Sequence, residues 1–365
     1  MTAAPETAPS HRRLYVARPT IHVGGEAYAR SSELLLGMRM TEAEGGMSSL
    51  ELRYSNVASH HDGDASLAFE DERELRLGRE ISIHAGDAEQ PMEVFRGVIT
   101  AIEAEFSQDA APELTVLAED PLQRARMARR THLHPKASIA KVAATVAERA
   151  GLRAKVIDFT QDLGSRLQLN ESDLAFLRRL LCAYDGDMQV VGDELHVAPR
   201  SEVQREAITL ELFSQLSRVT LCADLADQAT EVTVAGWDPE RAQRVCHRSR
   251  GQSLGPGRGR TGAEILSAEL GPRAEHLGHV SALDETEARA RADAAYDQRA
   301  RTFVTAEGTT EGNPALRVGA HLTLSQVSPR FDNTYYVTRV CHRFDAQSGY
   351  LTDFVAESAY LGEPS

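Results

Sequence analysis

Four cysteines, one tryptophan and no uninterrupted apolar stretch of 18 residues set the first limits on this chain of 365 residues. Cys182, Cys222, Cys246 and Cys341 lie far apart with no C-x-x-C pair, which excludes a zinc knuckle and a dithiol redox motif. They read as reduced, small packing residues. An aromatic content of 5% leaves few rings to stack on sugars and argues against a carbohydrate-binding β-protein. A membrane-spanning helix needs roughly 20 consecutive apolar residues, and the opening MTAAPETAPSHRR lacks the apolar core of a signal peptide. The chain is therefore expected in the cytoplasm when made, with no membrane partner. Basic residues are outnumbered by acidic ones, 40 to 54, and a formal net charge of -14 repels phosphate over most of the surface. Sequence-specific binding of nucleic acid is disfavoured.

Candidate chemistry is sparse. His60, His61, Asp62 and Asp64 in HHDGDASLAFEDE are metal-ligand types, but the stretch lacks the glycine and terminal glutamate of a calcium loop and reads as a solvated hairpin tip. His132 and His134 alternate, so a strand would place them on one side, without a third ligand at readable spacing. Glu103 and Glu105 could share a strand face as a glycosidase pair does, and exposed acids on a half-buried strand would do the same. GPGRGRTG lacks the G-K-[ST] of a phosphate loop and reads as a mobile surface loop. No enzyme, cofactor or metal centre is expected from these residues.

What the chain does contain is a repeated block. LRLGREISI at residues 75–83 returns as LRVGAHLTL at residues 316–324. Leu75 and Gly78 in the first copy match Leu316 and Gly319 in the second. Further on, Thr100, Ile102 and Phe106 stand at T-x-I-x-x-x-F, and Thr338, Val340 and Phe344 at T-x-V-x-x-x-F. Apolar and polar residues alternate in both blocks, the period of a strand buried on one face, and turn-rich stretches separate the runs. Convergent β-meanders or an internal duplication would each produce this pattern.

Between the blocks the period changes. Ile139, Val142, Val146 and Ala150 recur at helical spacing and Gly151 can end that helix. In NESDLAFLRRLLCAYDGDMQVVGDELHV, Ser172 is an N-cap with Asp173 in the first turn, and Leu174, Leu177, Leu181 and Tyr184 form a stripe widened by Leu180. Gly186 is expected to end the helix, and a hairpin to follow around Gly192 and Asp193. DETEARARADAAYDQRARTF, residues 284–303, predicts a helix with acids first and arginines last. The expected organisation is a disordered leader at 1–12, a first β-barrel-like domain at 13–130 and an α/β insertion module at 131–204. Strands of the second half follow at 205–248, a Gly/Arg-rich loop region at 249–283, and a helix with the second β-barrel-like domain at 284–365.

The run around Ser172, Asp173, Leu174, Phe176, Leu177 and Leu180, the FRGVITAIEAEF block and the terminal GNPALRVGAHLTLSQVSPRFDNTYYVTRVCHRFDAQSGYLTDF together resemble the phage late control gene D protein family. That family forms the baseplate hub of contractile tails and shares its fold with the N-terminal part of VgrG spike proteins. The resemblance covers residues 13–362 in three ordered blocks. It implies a mainly β protein with α/β insertions, whose two related β-barrel-like domains form a pseudo-sixfold ring in a homotrimer. The implied partners are a trimeric spike protein, a hexameric tail tube or tube-initiator protein, and other baseplate proteins. It implies a location in the baseplate of a phage tail, tailocin or extracellular injection particle after assembly. The chain stops at Ser365, where VgrG proteins continue, so the spike is expected as a separate chain. The competing expectation is a tail-associated cell-wall hydrolase.

Overall fold

The computed structural model describes residues 15–59, 65–87, 91–280 and 282–362. The expected leader and the loop holding His60, His61, Asp62 and Asp64 lie outside the described residues. Strand makes up 47% and helix 18%, so the protein is mainly β with helical insertions, as the sequence predicts.

The first half contains β1 (Tyr15–Val23), β2 (Glu26–Ala27), α1 (Ala29–Glu33), β3 (Leu35–Ala43), β4 (Ser49–Ser55), β5 (Val57–Ser59), β6 (Ala65–Leu67), β7 (Glu80–Asp87), β8 (Pro91–Glu105) and β9 (Glu113–Glu119). An insertion follows, with α2 (Gln123–Met127), β10 (Arg129–His134), α3 (Ile139–Ala150), β11 (Arg153–Val156), β12 (Arg166–Ser172), α4 (Asp173–Ala183), β13 (Gly186–Val191) and β14 (Glu194–Pro199). The second half opens with β15 (Ala207–Glu211), β16 (Leu216–Ala223), β17 (Glu231–Asp238), β18 (Gln243–Ser249), β19 (Arg260–Thr261), α5 (Gly262–Glu269), β20 (Ala274–His276) and α6 (Glu285–Arg301). It closes with β21 (Val304–Glu311), β22 (His321–Ser325), β23 (Thr334–Asp345), β24 (Gly349–Ser358) and β25 (Tyr360–Leu361).

Six strands in each half pair in one spatial order. In the first half it is β1-β7-β8-β9-β4-β3, and in the second β15-β22-β23-β24-β21-β16. Chain order matches as well, because each half contributes its strands in the same succession. The one departure is at the rim, where β1 runs antiparallel to β7 and β15 runs parallel to β22. The two sheets are continuous: β23 pairs antiparallel with β3, joining the halves along one path. The expected pair of barrel-like domains is therefore corrected. Among the described residues there is no closed barrel, and β3 and β23 pair with each other across the halves.

Apolar alternation explains the cores. Met38, Met40, Leu50, Leu52, Ile81, Ile83 and Val116 face inward in the first half, and Phe344 and Tyr350 of the second half complete that cluster. Leu322, Leu324, Val337, Val340 and Phe354 build the second core. In the insertion, Ser138 caps α3 by accepting from Lys141 N–H, and Gly151 ends it at φ 78°. Ser172 caps α4 by accepting from Ala175 N–H, and Leu174, Phe176, Leu177, Leu180 and Leu181 are buried against α3 and β13.

Three local expectations change. Asp185, at φ 52°, takes the left-handed position after α4. Gly186 instead begins β13, where a Cβ would come within 2.4 Å of Leu181 Cδ2. Residues 249–283 are not a structureless loop, since they carry β19, α5 and β20, with Thr261 and Glu264 forming a capping box. Asn333 Oδ1 accepts from Arg258 N–H and ties that stretch to the end of the sheet. The cysteines are free, but Cys182, Cys222 and Cys246 are exposed, so packing does not account for them.

Two outcomes are expected from these environments. Leu177 is fully buried, and Leu177→Ala should cost about 2 to 5 kcal/mol in chemical unfolding, through lost transfer energy and a cavity. His342 is buried beside Tyr350 and Thr352, and burial, with Arg317 nearby, lowers its pKa to about 3. Between that value and the ordinary imidazole range only the unfolded chain takes up the proton, so stability is lost as pH falls through this window. Glu44 and Asp120, raised by burial to about 7 and about 6, act in the opposite sense. Comparing wild type with His342→Gln isolates the histidine: urea midpoints measured from pH 7 to pH 4 should show the wild type losing more stability on acidification.

Candidate assembly site

The glycine turn and the threonine bulge have the same geometry in both halves. Gly78 and Gly319 adopt φ 79° and 85°, the left-handed region in which glycine is unstrained. Gly78 N–H donates to Ile99 O at 2.8 Å, and Gly319 N–H to Val337 O at 2.9 Å. In each case the next residue of the partner strand is a threonine at a register shift. Thr100 Oγ1 donates to Leu117 O at 3.4 Å, and Thr338 Oγ1 to Val355 O at 3.2 Å. Leu75 and Leu316 are both buried.

Beyond the bulge the two copies part. After Thr338, β23 has a neighbour on each side: β24, and β3 of the first half, with Val340 opposite Glu42, Cys341 opposite Thr41, His342 opposite Met40 and Phe344 opposite Met38. Glu42 is buried, and its charge is met by Arg317, whose Nε donates to Oε2 at 2.9 Å, and by Val318 N–H, which donates to Oε1 at 2.6 Å. Arg317 and Val318 belong to the LRVG turn, so the repeated turn of one half locks onto the edge strand of the other. A buried charge costs several kcal/mol unless fully paired, and here carboxylate and guanidinium answer each other across the junction.

The corresponding surface of the first half has no such cover among the described residues. Beyond Thr100, β8 pairs with β9 alone. Phe106 is 64% exposed where Phe344 is 6%, and Leu77 is 61% exposed where Val318 is 1%. Ala104 is exposed where His342 is buried, and Arg76, at the place of Arg317, has no ion-pair partner among the described residues. The complementary edge is β16, which from Arg218 onward pairs with β21 alone among the described residues and leaves Thr220, Cys222 and Ala223 exposed. Neither open edge was legible from the repeat, because burial of Phe344 depends on β3, not on its own strand.

A second cluster fixes the insertion against both halves. Arg200 Nε lies 2.5 Å from Glu44 Oε1 and its Nη2 donates to Glu357, while its guanidinium stacks 3.5 Å over the Tyr336 ring. Arg301 pairs with Asp185 beside it. Burial raises the Glu44 carboxyl against the pull of Arg200.

The remaining candidates do not assemble chemistry. His132 and His134 are neighbours, with ring centroids 4.5 Å apart, but His134 stacks on Phe176 and contacts Gln168. Among the described residues no three His, Cys, Asp or Glu side chains are grouped to hold a metal. Glu103 and Glu105 are exposed on β8. GQSLG, residues 251–255, meets the G-x-S-x-G spacing and follows β18 after Arg250, yet α5 begins only at Gly262, after β19, unlike a strand-turn-helix elbow. Ser253 and His321 line one recess with Arg200 and Arg301; Arg301 Nη1 donates to Ser253 O, and no hydrogen bond joins the Ser253 hydroxyl to His321. No described helix is long and apolar enough to cross a membrane.

Solved structures share this fold. The 43 kDa tail protein of prophage MuSo2 from Shewanella oneidensis superposes with a TM-score of 0.70 at 12% identity, over 93% of this chain and 97% of that one. A component of the type VI secretion system of E. coli, described as similar to T4 bacteriophage tail proteins, gives 0.57 at 12% identity over 91% and 76%. A chain of the Francisella PdpA-VgrG complex gives 0.52 at 10% identity over 98% and 61%. These neighbours bear out the resemblance to the baseplate hub and VgrG-like group drawn from the sequence. No curated protein matches the chain. The family model described as the Alg8 N-terminal domain matches residues 57–346, most of the chain, and the protein belongs to that family.

Proposed function

We propose that the protein is a structural baseplate hub of a contractile tail or injection system, in which three copies form an adapter between a hexameric tube and a trimeric spike. The observation that carries this reading is the pair of like sheets in one chain, joined along β23 and β3 while the counterpart of that junction stands open. Three chains with two like halves each present six similar surfaces around one axis and still obey threefold symmetry, which is what a junction between a six-subunit tube and a three-subunit spike requires. Repeating the junction around the ring would run one sheet through β16, β21, β24, β23, β3, β4, β9 and β8 of every copy, eight strands per chain and 24 in three. Closure of a barrel removes sheet edges, and barrels of about 16 strands already leave a water-filled channel, so a wider one supplies a lumen for passage. The chemistry is then that of shape and backbone pairing, with no catalytic residue and no cofactor. The location is the baseplate of the assembled particle, following synthesis in the cytoplasm.

Charge sets the conditions. Three copies of -14 carry -42 in total and repel one another, and screening over a Debye length of roughly 8 Å at physiological ionic strength relieves this. Light scattering of the purified chain should therefore show growth of a 119.7 kDa species, three times 39.9 kDa, as salt is raised, and of that mass plus the spike's when a trimeric spike protein is added. A chain that remains monomer or dimer with spike and tube proteins present overturns the hub reading.

A further inference from the structure

The insertion module turns one face of its sheet toward an open cleft. Its strands lie in the order β11-β14-β13, with Lys155 and Gln189 both opposite His196, so these three side chains form one row on one face. The other face buries Met188, Val190, Leu195 and Val197 in a core shared with α3 and α4. Across from the row stand Met92 of β8, the stretch from Val203 to Glu206, and Pro314 just before the LRVG turn, and the cleft between these walls measures about 470 Å³. Arg205 ties the two walls together, donating through Nη1 to Val318 O at 3.0 Å and through Nη2 to Asp187 Oδ2 at 2.6 Å. Two features distinguish the cleft from a packing gap. Gln189 is 5% exposed, and neither the nitrogen nor the oxygen of its amide finds a partner among the described residues. A buried, unpaired amide costs stability that an apolar residue of similar size would not. Because the last torsion of glutamine is broad and nothing holds this amide, a turn brings one donor and one acceptor to whatever enters the cleft. The second feature is apolar: Met92, Ile157 and Val191 line the cleft and are 46%, 48% and 44% exposed.

We propose that this cleft binds an extended segment of a partner polypeptide, which places an apolar side chain among Met92, Ile157 and Val191 and a peptide group on the Gln189 amide. A peptide group offers the one donor and one acceptor that a glutamine amide complements. Shape favours a chain over a compact molecule, because the cleft runs on past Glu93, Val191 and Arg317 into a second recess of about 170 Å³ that reaches Arg96 and Gly192. Charge sets the flanking residues. Lys155 on one wall, and Glu202 and Glu206 on the other, are exposed and lack ion pairs among the described residues. A segment with an acid on one side of its apolar residue and a base on the other meets both walls, whereas the glutamates repel a phosphate backbone.

The probe is a fluorescein-labelled blocked pentapeptide, Glu-Ala-Leu-Ala-Lys amide, titrated with the full chain and read by fluorescence anisotropy, with unlabelled peptide as competitor. Saturable binding that the competitor displaces is expected. Serine in place of the peptide's leucine, alanine in place of both its charged residues, or Ile157→Asp in the protein should each weaken binding by at least about tenfold. Gln189→Leu separates a ligand-binding amide from a structural one: it should raise the urea midpoint of the free chain while weakening the peptide. No displaceable binding, binding indifferent to Ile157→Asp, or a Gln189→Leu variant that unfolds at lower urea overturns the proposal. Peptide binding that disappears in step with trimer formation would assign the cleft to a second copy and overturn the partner segment. The proposal does not rest on the hub reading, which is tested by mass alone and survives a failure here.

Discussion

Backbone pairing of β23 with β3 is the constraint on which the rest of the molecule depends. It converts two separate sheets into one, and it buries Phe344, His342 and Tyr350 in a core that belongs to the other half. It also creates the need for the Glu42–Arg317 pair, since a carboxylate on β3 that is covered by a neighbouring turn must find a cation there. Neither half is complete without it. The first half would lose part of its core, and the second would expose the strand that now runs beneath that core.

The same pairing explains why each half carries an edge of the opposite kind. A strand edge presents unmet N–H and C=O groups, which water satisfies in a free chain and another strand satisfies better in a packed one. β3 and β23 satisfy each other internally, and β8 and β16 do not. The insertion module sits across the seam between halves, held by Arg200, Glu44, Glu357, Arg301 and Asp185, so its placement follows from the junction. Its helices serve packing: the α4 stripe closes on α3 and β13, and no face of that stripe is left to receive a partner.

Much of this was legible in the residues, for reasons of local physics. The LR-x-G turn shows because a positive φ demands glycine, and the threonine shows because its hydroxyl bonds across the bulge. The helix cap at Ser172 shows because the first N–H groups of a helix need acceptors, whereas the caps at Ser138 and Asp284 emerge only in the structure. The kinship of β3 with β16 and of β4 with β21 did not show. Those strands keep only an alternation of burial, with Gly308 and Thr310 where the other half has Leu52 and Tyr54, and β17 to α6 separate β16 from β21. Phe106 and Phe344 occupy like positions with opposite exposure, and no local signal distinguishes them, because the difference lies in whether another half is docked. Gly186 looks like a helix terminator in the sequence, but a close contact with Leu181 also requires glycine.

The central claim is that the open edges of β8 and β16 are the same junction, completed between chains. Electron cryomicroscopy of the assembled protein tests it most directly. The account predicts a threefold ring with six similar lobes, in which continuous sheet density passes from β8 of one copy to β16 of the next. An assembly in which either edge faces solvent, or is covered by a different surface, would contradict it.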